Sequence, residues 1–420
     1  MLMKADMSAT FDNPFKPSAG HMPPYLAGRV FEKEGFKKLL GQRVITDNVI
    51  LTGLRGVGKT VLLETLRPIG QQLGWIWTGD DFTESTGLSE DTIVERIITD
   101  LSLTLGPLFV QKQLALPLGF TSPEVTTTRP LEYSDLRKLY DQSPGLAADK
   151  IKAVLRRIGS LIRSTNVKGI VFAYDEAQNL ADRASEKQYP LSLLLDVFQS
   201  IQKGPDGLPF MLVLTGLPTL FPKLNEARTY TERMFEVFTL DRLTEDESRE
   251  AITQPVSDAQ CPVKFSDMAV KQIIEMSGGY PYFIQFICKE VYDAWISKVG
   301  SGQAASVQKG DIIRKLDQRF FSARWDKASD RQREFMQIIA MIPSSDDEFT
   351  VQDIVQASKD LKKPFKTSSA GMMLKTLIDL GFVFRNRRGK YSFAVPLLGE
   401  FIVRQMGLSA KLPVPFGDAT

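Results

Sequence analysis

The chain has 420 residues, 43% of them hydrophobic and 24% charged, which suits two or three compact globular units and excludes a disordered polymer. Lys and Arg number 52 against 50 Asp and Glu, a net charge of +2, so any basic surface has to be local. Two cysteines, Cys261 and Cys288, and one histidine, His21, exclude a disulfide framework, a cysteine-rich zinc site and a histidine metal cluster, and they fit a reducing cytoplasmic compartment.

In chain order, residues 1–27 form a Pro-rich arm, "NPFKPSAGHMPPYLAG", suited to an extended segment laid on a domain. They lack the apolar core of a signal peptide. From 28 to 243 the β-branched apolar runs "RVITDNVILTG", "GIVFAYDE" and "PFMLVLTG" alternate with helical patterns such as "DKIKAVLRRIGSLIRS". Near-continuous apolar strands separated by helices predict an α/β core with a parallel sheet covered on both faces. "GWIWTGD" and "FEVFTL" add two further strands. Between about 107 and 148 the Pro- and Thr-rich "PLGFTSPEVTTTRPLEYSDL" reads as a surface insertion. Residues 244–300 turn helical, "GSGQAAS" at 300–306 reads as a linker, and a further unit spans 308–408. The longest apolar run, "FMLVLTGLPTLF" from Phe210, is broken by Gly216 and Pro218 and is too short to span a bilayer, so no membrane partner is expected.

Gly53 to Thr60, "GLRGVGKT", follows the strand "NVILT" and opens the helical pattern "VLLETL". This G-x-x-x-x-G-K-[ST] octet lets backbone N–H groups close around phosphates: Gly53, Gly56 and Gly58 remove the Cβ atoms in the way, and the helix N-terminus adds partial positive charge. Lys59 is placed for the β and γ phosphates of ATP and Thr60 for Mg²⁺. Downstream, "GIVFAYDE" ends an apolar strand in Asp175 and Glu176. There Asp175 can hold Mg²⁺ through water, and Glu176 can polarise an attacking water.

With both motifs present, the chain resembles the AAA+ branch of the P-loop ATPases, closest to the replication-origin recognition ATPases and to the archaeal-type ATPases near the signal-transduction ATPases with numerous domains. The resemblance runs from "PPYLAGR" at Pro23 to about residue 405. It implies a P-loop α/β domain, a helical lid over 244–300 and a C-terminal winged helix. It also implies a γ-phosphate-sensing residue at the end of a later strand, Thr215 in "LVLTG", where a buried structural Thr reads equally well. An arginine finger acting in trans, hence self-association, falls on Arg233 in "TERMFEVFTL", with Arg228 as the fallback. "LAGR" would bring backbone near the adenine. Many such enzymes carry an arginine on a lid helix, and "MSGGYPYFIQFICKEVYDAW" has none. Its "GGYP" is closer to the signalling branch, and the departure points to a slow switch rather than a processive motor.

The helical stretches "RQREFMQIIAMI", "TVQDIVQAS" and "SSAGMMLKTLIDLGF", followed by the hairpin-like "VFRNRRGKYSFAVP", give the order of a winged helix with Arg385, Arg387, Arg388 and Lys390 on the wing. Residues 351–410 hold ten Lys and Arg against four Asp and Glu, an excess of six. That is an electrostatic footprint for double-stranded DNA. The alternative is a signalling or scaffold ATPase whose winged helix packs on its own chain or on a protein.

Overall fold

The computed structural model describes residues 12–18, 20–108, 110–114, 126–203, 206–261, 264–300, 309–343, 348–387 and 389–407. They pack as two units, 30–52 with 62–239, and 12–29 with 53–61 and 240–407.

The first unit is an α/β sheet. Its elements are α1 (Val30–Leu40), β1 (Asn48–Gly53), α2 (Lys59–Gln72), β2 (Trp75–Thr78), α3 (Glu90–Leu105), β3 (Val110–Leu114), β4 (Thr126–Pro130), α4 (Tyr133–Gln142), α5 (Ala147–Arg163), β5 (Gly169–Tyr174), α6 (Pro190–Gln202), β6 (Phe210–Gly216), α7 (Leu220–Ala227) and β7 (Phe235–Leu240). Five strands lie in the order β2-β5-β6-β1-β7, with β2–β5, β5–β6 and β6–β1 parallel. Every residue of β1, β2, β5 and β6 is buried, because helices cover both faces, and this is why these strands are apolar without alternation. In β7 Phe235, Phe238 and Leu240 are buried while Glu236 and Thr239 are exposed, the alternation of an edge strand.

Asn48 fixes the start of β1 from within the core. Fully buried, it donates to the Met234 carbonyl at 3.3 Å and exchanges hydrogen bonds of 3.1 and 2.8 Å with Gln202. Its Oδ1 also accepts the Leu212 N–H at 2.7 Å. Helix α3 begins where Ser89 and Thr92 satisfy each other's backbone donors in a capping box. The 107–148 stretch, expected as an irregular insertion, contains the antiparallel β3–β4 ribbon and α4. Leu136 and Tyr140 of α4, four residues apart, are buried in the core.

The second unit comprises α8 (Glu245–Asp258), α9 (Asp267–Ser277), α10 (Pro281–Gly300), α11 (Lys309–Leu316), a π-helical turn at Asp317–Phe321, α12 (Ser322–Trp325), α13 (Asp330–Ala340), α14 (Val351–Ala357), α15 (Thr367–Asp379), the hairpin β8 (Val383–Arg387) and β9 (Lys390–Phe393), and α16 (Leu398–Gln405). One apolar cluster joins α8–α10 to α13–α16. The arm of residues 12–29 belongs to it: Phe15 is 1% exposed and meets Phe265 edge-on at 5.9 Å. Asn13 holds the arm by donating to the Lys289 carbonyl at 3.1 Å and to Asp293 at 2.6 Å. The "GGYP" sequence is a reversal between helices. Gly278 ends α9 at φ 57°, Gly279 follows at φ 75° with no room for a Cβ beside the Leu243 carbonyl, and Pro281 opens α10.

Candidate functional site

The octet forms the turn that joins β1 to α2. Gly56 and Gly58 take φ of 82° and 90°, which only glycine adopts readily. A Cβ on Gly53 would stand 2.4 Å from the Leu240 carbonyl oxygen, so the loop cannot close with any other residue there. A Cβ on Gly58 would meet nothing within 4 Å and would project into open space. α2 begins at Lys59, and the Lys59 ammonium donates to the Gly53 and Leu54 carbonyls at 2.9 and 3.0 Å. Arg29, in the "LAGR" stretch, donates to the Val57 carbonyl at 3.0 Å and the Asp241 carbonyl at 2.6 Å, which fixes the loop's flank. A lysine at the mouth of a glycine-lined cradle, at the start of a helix, fits a polyphosphate.

In the sheet unit, Asp175 and Glu176 leave the carboxyl end of β5 and Thr215 lies near the carboxyl end of β6. Thr215 is fully buried and donates its hydroxyl to Asp175 Oδ1, which also accepts the Glu176 N–H at 2.7 Å. The hydroxyl is therefore committed to orienting Asp175. Glu176 takes a left-handed conformation, φ 52° and ψ 33°, rare for a non-glycine residue. Gln178 donates to the Glu176 carboxylate, and its own Oε1 accepts the Leu217 N–H at 3.0 Å. Gln178 thus carries the pose of Glu176. Sequence reasoning also missed Asp81. The Phe82 N–H donates to the Asp175 carbonyl at 2.9 Å, which sets Asp81 beside Asp175. Burial, and then the negative charges of Asp175, Asp80 and Glu176, push the Asp81 carboxyl above its usual range. The doublet "DD", separated from the end of β2 by Gly79 alone, was the available signal.

The two finger candidates separate cleanly. Arg228 donates to both oxygens of Asp196 at 2.8 and 2.6 Å and to Ser192 Oγ at 2.7 Å, and Tyr230 adds a 2.5 Å bond to Asp196. Arg233 is exposed, and among the described residues its side chain makes no ion pair or hydrogen bond. On the hairpin, Arg385 is exposed and Lys390 is half-buried. The Arg387 side chain and all of Arg388 lie outside the described residues. Lys362, Lys363, Lys366 and Lys375, on or next to α15, are exposed, and Phe349 bridges Tyr391 to add a third strand segment beside the hairpin.

The parallel sheet, with the glycine loop between β1 and α2, has the P-loop fold of the AAA+ ATPases. Among solved structures, the Walker-type ATPase PABY2304 of Pyrococcus abyssi is 14% identical, with a TM-score of 0.54 over 90% of this chain and 96% of that one. The Aeropyrum pernix ORC2 protein, solved in ADPNP–ADP complexes, is 15% identical, with a TM-score of 0.52 over 93% of this chain and 98% of that one. Residues 318–402 match a domain of unknown function, DUF8462. No curated protein matches the sequence. Among the described residues no helix is long and apolar enough to cross a membrane.

Proposed function

We propose that the protein is a slow, cytoplasmic ATP switch that binds and hydrolyses ATP with Mg²⁺ and acts on double-stranded DNA. In this reading Gly53, Gly56 and Gly58 open the loop to the phosphates and Lys59 contacts the β and γ phosphates. Thr60 and Asp175 would hold Mg²⁺, and Thr215 keeps Asp175 oriented. Bound Mg²⁺ would withdraw charge from the β and γ phosphates. Glu176, held by Gln178, accepts a hydrogen bond from the water that attacks the γ-phosphorus, with ADP leaving. Arg233 reaches the site of a neighbouring copy, which makes turnover depend on self-association. The observation that carries the reading is the cradle itself, two positive-φ glycines beside Lys59 at the start of α2. The PABY2304 and ORC2 folds support it as analogy.

Helices α13–α15 and the β8–β9 hairpin then act as a winged helix. Exposed lysines on and just before α15 and Arg385, Arg387, Arg388 and Lys390 on the wing meet DNA phosphates. The second reading, a signalling or scaffold ATPase, draws on the apolar cluster that α13–α16 share with α8–α10, because such packing suits a winged helix read by its own chain. Titrating a labelled duplex with the protein, with and without ATP and Mg²⁺, separates the two. ATP-dependent duplex affinity at low salt supports the switch on DNA. Nucleotide binding with no duplex binding favours the scaffold, and absence of nucleotide binding refutes both.

A further inference from the structure

The arm of residues 12–29 is held at two ends of different strength. Its inner end is fixed: Ala27 is buried, Gly28 and Arg29 turn at φ of 67° and 62°, and Arg29 holds the Val57 carbonyl of the glycine loop at 3.0 Å. The outer end is a turn shaped by its own sequence. Asn13 Oδ1 accepts the Phe15 N–H at 3.0 Å, Pro14 stiffens the step between them, and Lys16 pairs with Asp12 at 2.8 Å. Between the two ends Lys16, Ser18, Gly20, His21, Met22 and Pro24 are exposed. Gly20 lies against the glycine loop, where a Cβ on it would stand 3.8 Å from Thr60 Cγ2.

The outer turn sits in a groove made by α10 and the residues that lead into α9. Phe15 is buried edge-on against Phe265, whose ring packs 5.1 Å from Trp295 and 6.3 Å from Tyr292. The Asn13 amide donates to the Lys289 carbonyl and to one Asp293 oxygen, while the Lys289 ammonium holds the other oxygen at 2.6 Å. One side chain therefore shapes the turn with its oxygen and anchors it with its nitrogen, which asks for Asn, and the aromatic wall asks for a large apolar partner. Burying one ring and making these few bonds is of the same order as the entropy lost in ordering residues 12–18, so the outer end can leave while the inner end stays.

We propose that this groove is a binding site for an Asn-Pro-Phe turn, and that residues 13–15 occupy it as a releasable strap which retains a nucleoside phosphate on the glycine loop. Seated, the strap runs past Thr60, and bound nucleotide leaves only when the outer end lifts. The strap rests on the nucleotide reading above, whereas the peptide site stands on its own contacts. It gives the Pro-rich arm a role and slow turnover a physical origin.

Two measurements on the full chain test it: stopped-flow release of a fluorescent ADP, with Mg²⁺ present, after mixing with excess ATP, and fluorescence polarisation of a labelled peptide of residues 12–18, "DNPFKPS". Loss of one buried ring predicts that Phe15→Ala releases ADP roughly 10- to 100-fold faster than wild type. Asp293→Ala, which removes one anchor of Asn13, should speed release by about threefold to tenfold. The peptide should bind Phe15→Ala more tightly than wild type and slow its ADP release back toward the wild-type rate. The same peptide carrying Phe15→Ala should do neither. Unchanged release in both variants, equal peptide binding by wild type and Phe15→Ala, or faster release that the peptide cannot slow would each overturn the proposal. Wild-type release that slows as protein concentration rises would seat the arm on a second copy and overturn a strap within one chain. If wild type binds no nucleotide, the nucleotide reading falls and the strap with it. Preferential peptide binding by Phe15→Ala then upholds the Asn-Pro-Phe site, and its absence overturns that too.

Discussion

Arg228 and Arg233 are five residues apart, and under the proposed function only the exposed Arg233 is left to act on another subunit. Replacing Arg228 by Ala removes both bonds to Asp196 and the bond to Ser192, leaving Asp196 with Tyr230. Breaking a fully buried pair costs about 3–5 kcal/mol, and an exposed pair contributes about 0–1 kcal/mol. The Arg228 and Asp196 side chains are 35% and 37% exposed, between these limits. A cost of about 2 kcal/mol follows, a fall in melting temperature of about 4–8 °C for a unit of this size.

The loss also has a sign in pH. Burial alone would raise the Asp196 carboxyl, but hydrogen bonds from Arg228 and Tyr230 outweigh it and hold the group below its usual range. A depressed folded value stabilises the protein above the unfolded carboxylate range near pH 4, and that contribution disappears as pH falls through the folded value. Calorimetric melting of Arg228→Ala should therefore differ most from wild type near pH 7 and converge with it in acid. Arg233→Ala should leave the melting temperature unchanged at either pH. It should lower ATP turnover, and mixing it with wild type should lower the rate further than dilution does. A melting shift for Arg233→Ala as large as for Arg228→Ala, or one for Arg228→Ala that persists in acid, would refute the assignment.

Lys59→Ala should abolish ATP binding by calorimetry, while Glu176→Gln should keep binding and stop phosphate release. Asn48→Leu should cost about 3 kcal/mol in urea unfolding with an unchanged m-value, because the buried Leu212 N–H and Gln202 amide lose their partner. Asp81 is held above its usual carboxyl range, so its contribution is most favourable at low pH and is lost as pH rises through the folded value. Asp81→Asn should consequently raise the melting temperature at pH 7 in metal-free buffer and have no such effect near pH 3. Removing two wing cations, Arg385 and Lys390, should flatten the salt dependence of duplex binding by about two units in a log–log plot and weaken different duplexes alike.

What could be read in advance was local. The octet from Gly53 to Thr60 is defined by residue types eight positions long, and its flanking strand and helix announce themselves by period. Asp175 and Glu176 were legible for the same reason, as acids directly after an apolar strand. Asp81 was not, because its closeness to Asp175 follows from the non-sequential neighbours β2 and β5. Nor could Arg228 be separated from Arg233 without Asp196, which lies on a different helix. The contact from Tyr282 to Gly56 joins segments far apart in the chain, and no local pattern announces it.

Thr215 marks the boundary between residue type and residue role. A Thr near the end of a buried strand can direct its hydroxyl toward a phosphate or toward a neighbouring side chain, and the sequence permits both. Parallel pairing of β5 with β6, which sets Tyr174 beside Leu214, brings the next residues, Asp175 and Thr215, side by side. A carboxylate so close to a fully buried hydroxyl accepts its hydrogen bond, because a buried hydroxyl needs an acceptor and a carboxylate binds it more strongly than a neutral oxygen does. Thr215→Val keeps the shape and removes the donor. Asp175 then keeps its charge but loses one of the bonds that aim it. Under the proposed function, the Mg²⁺ concentration needed for half-maximal turnover should rise while metal-free ATP affinity stays unchanged. A loss of metal-free ATP affinity instead would mean that the hydroxyl serves the nucleotide directly.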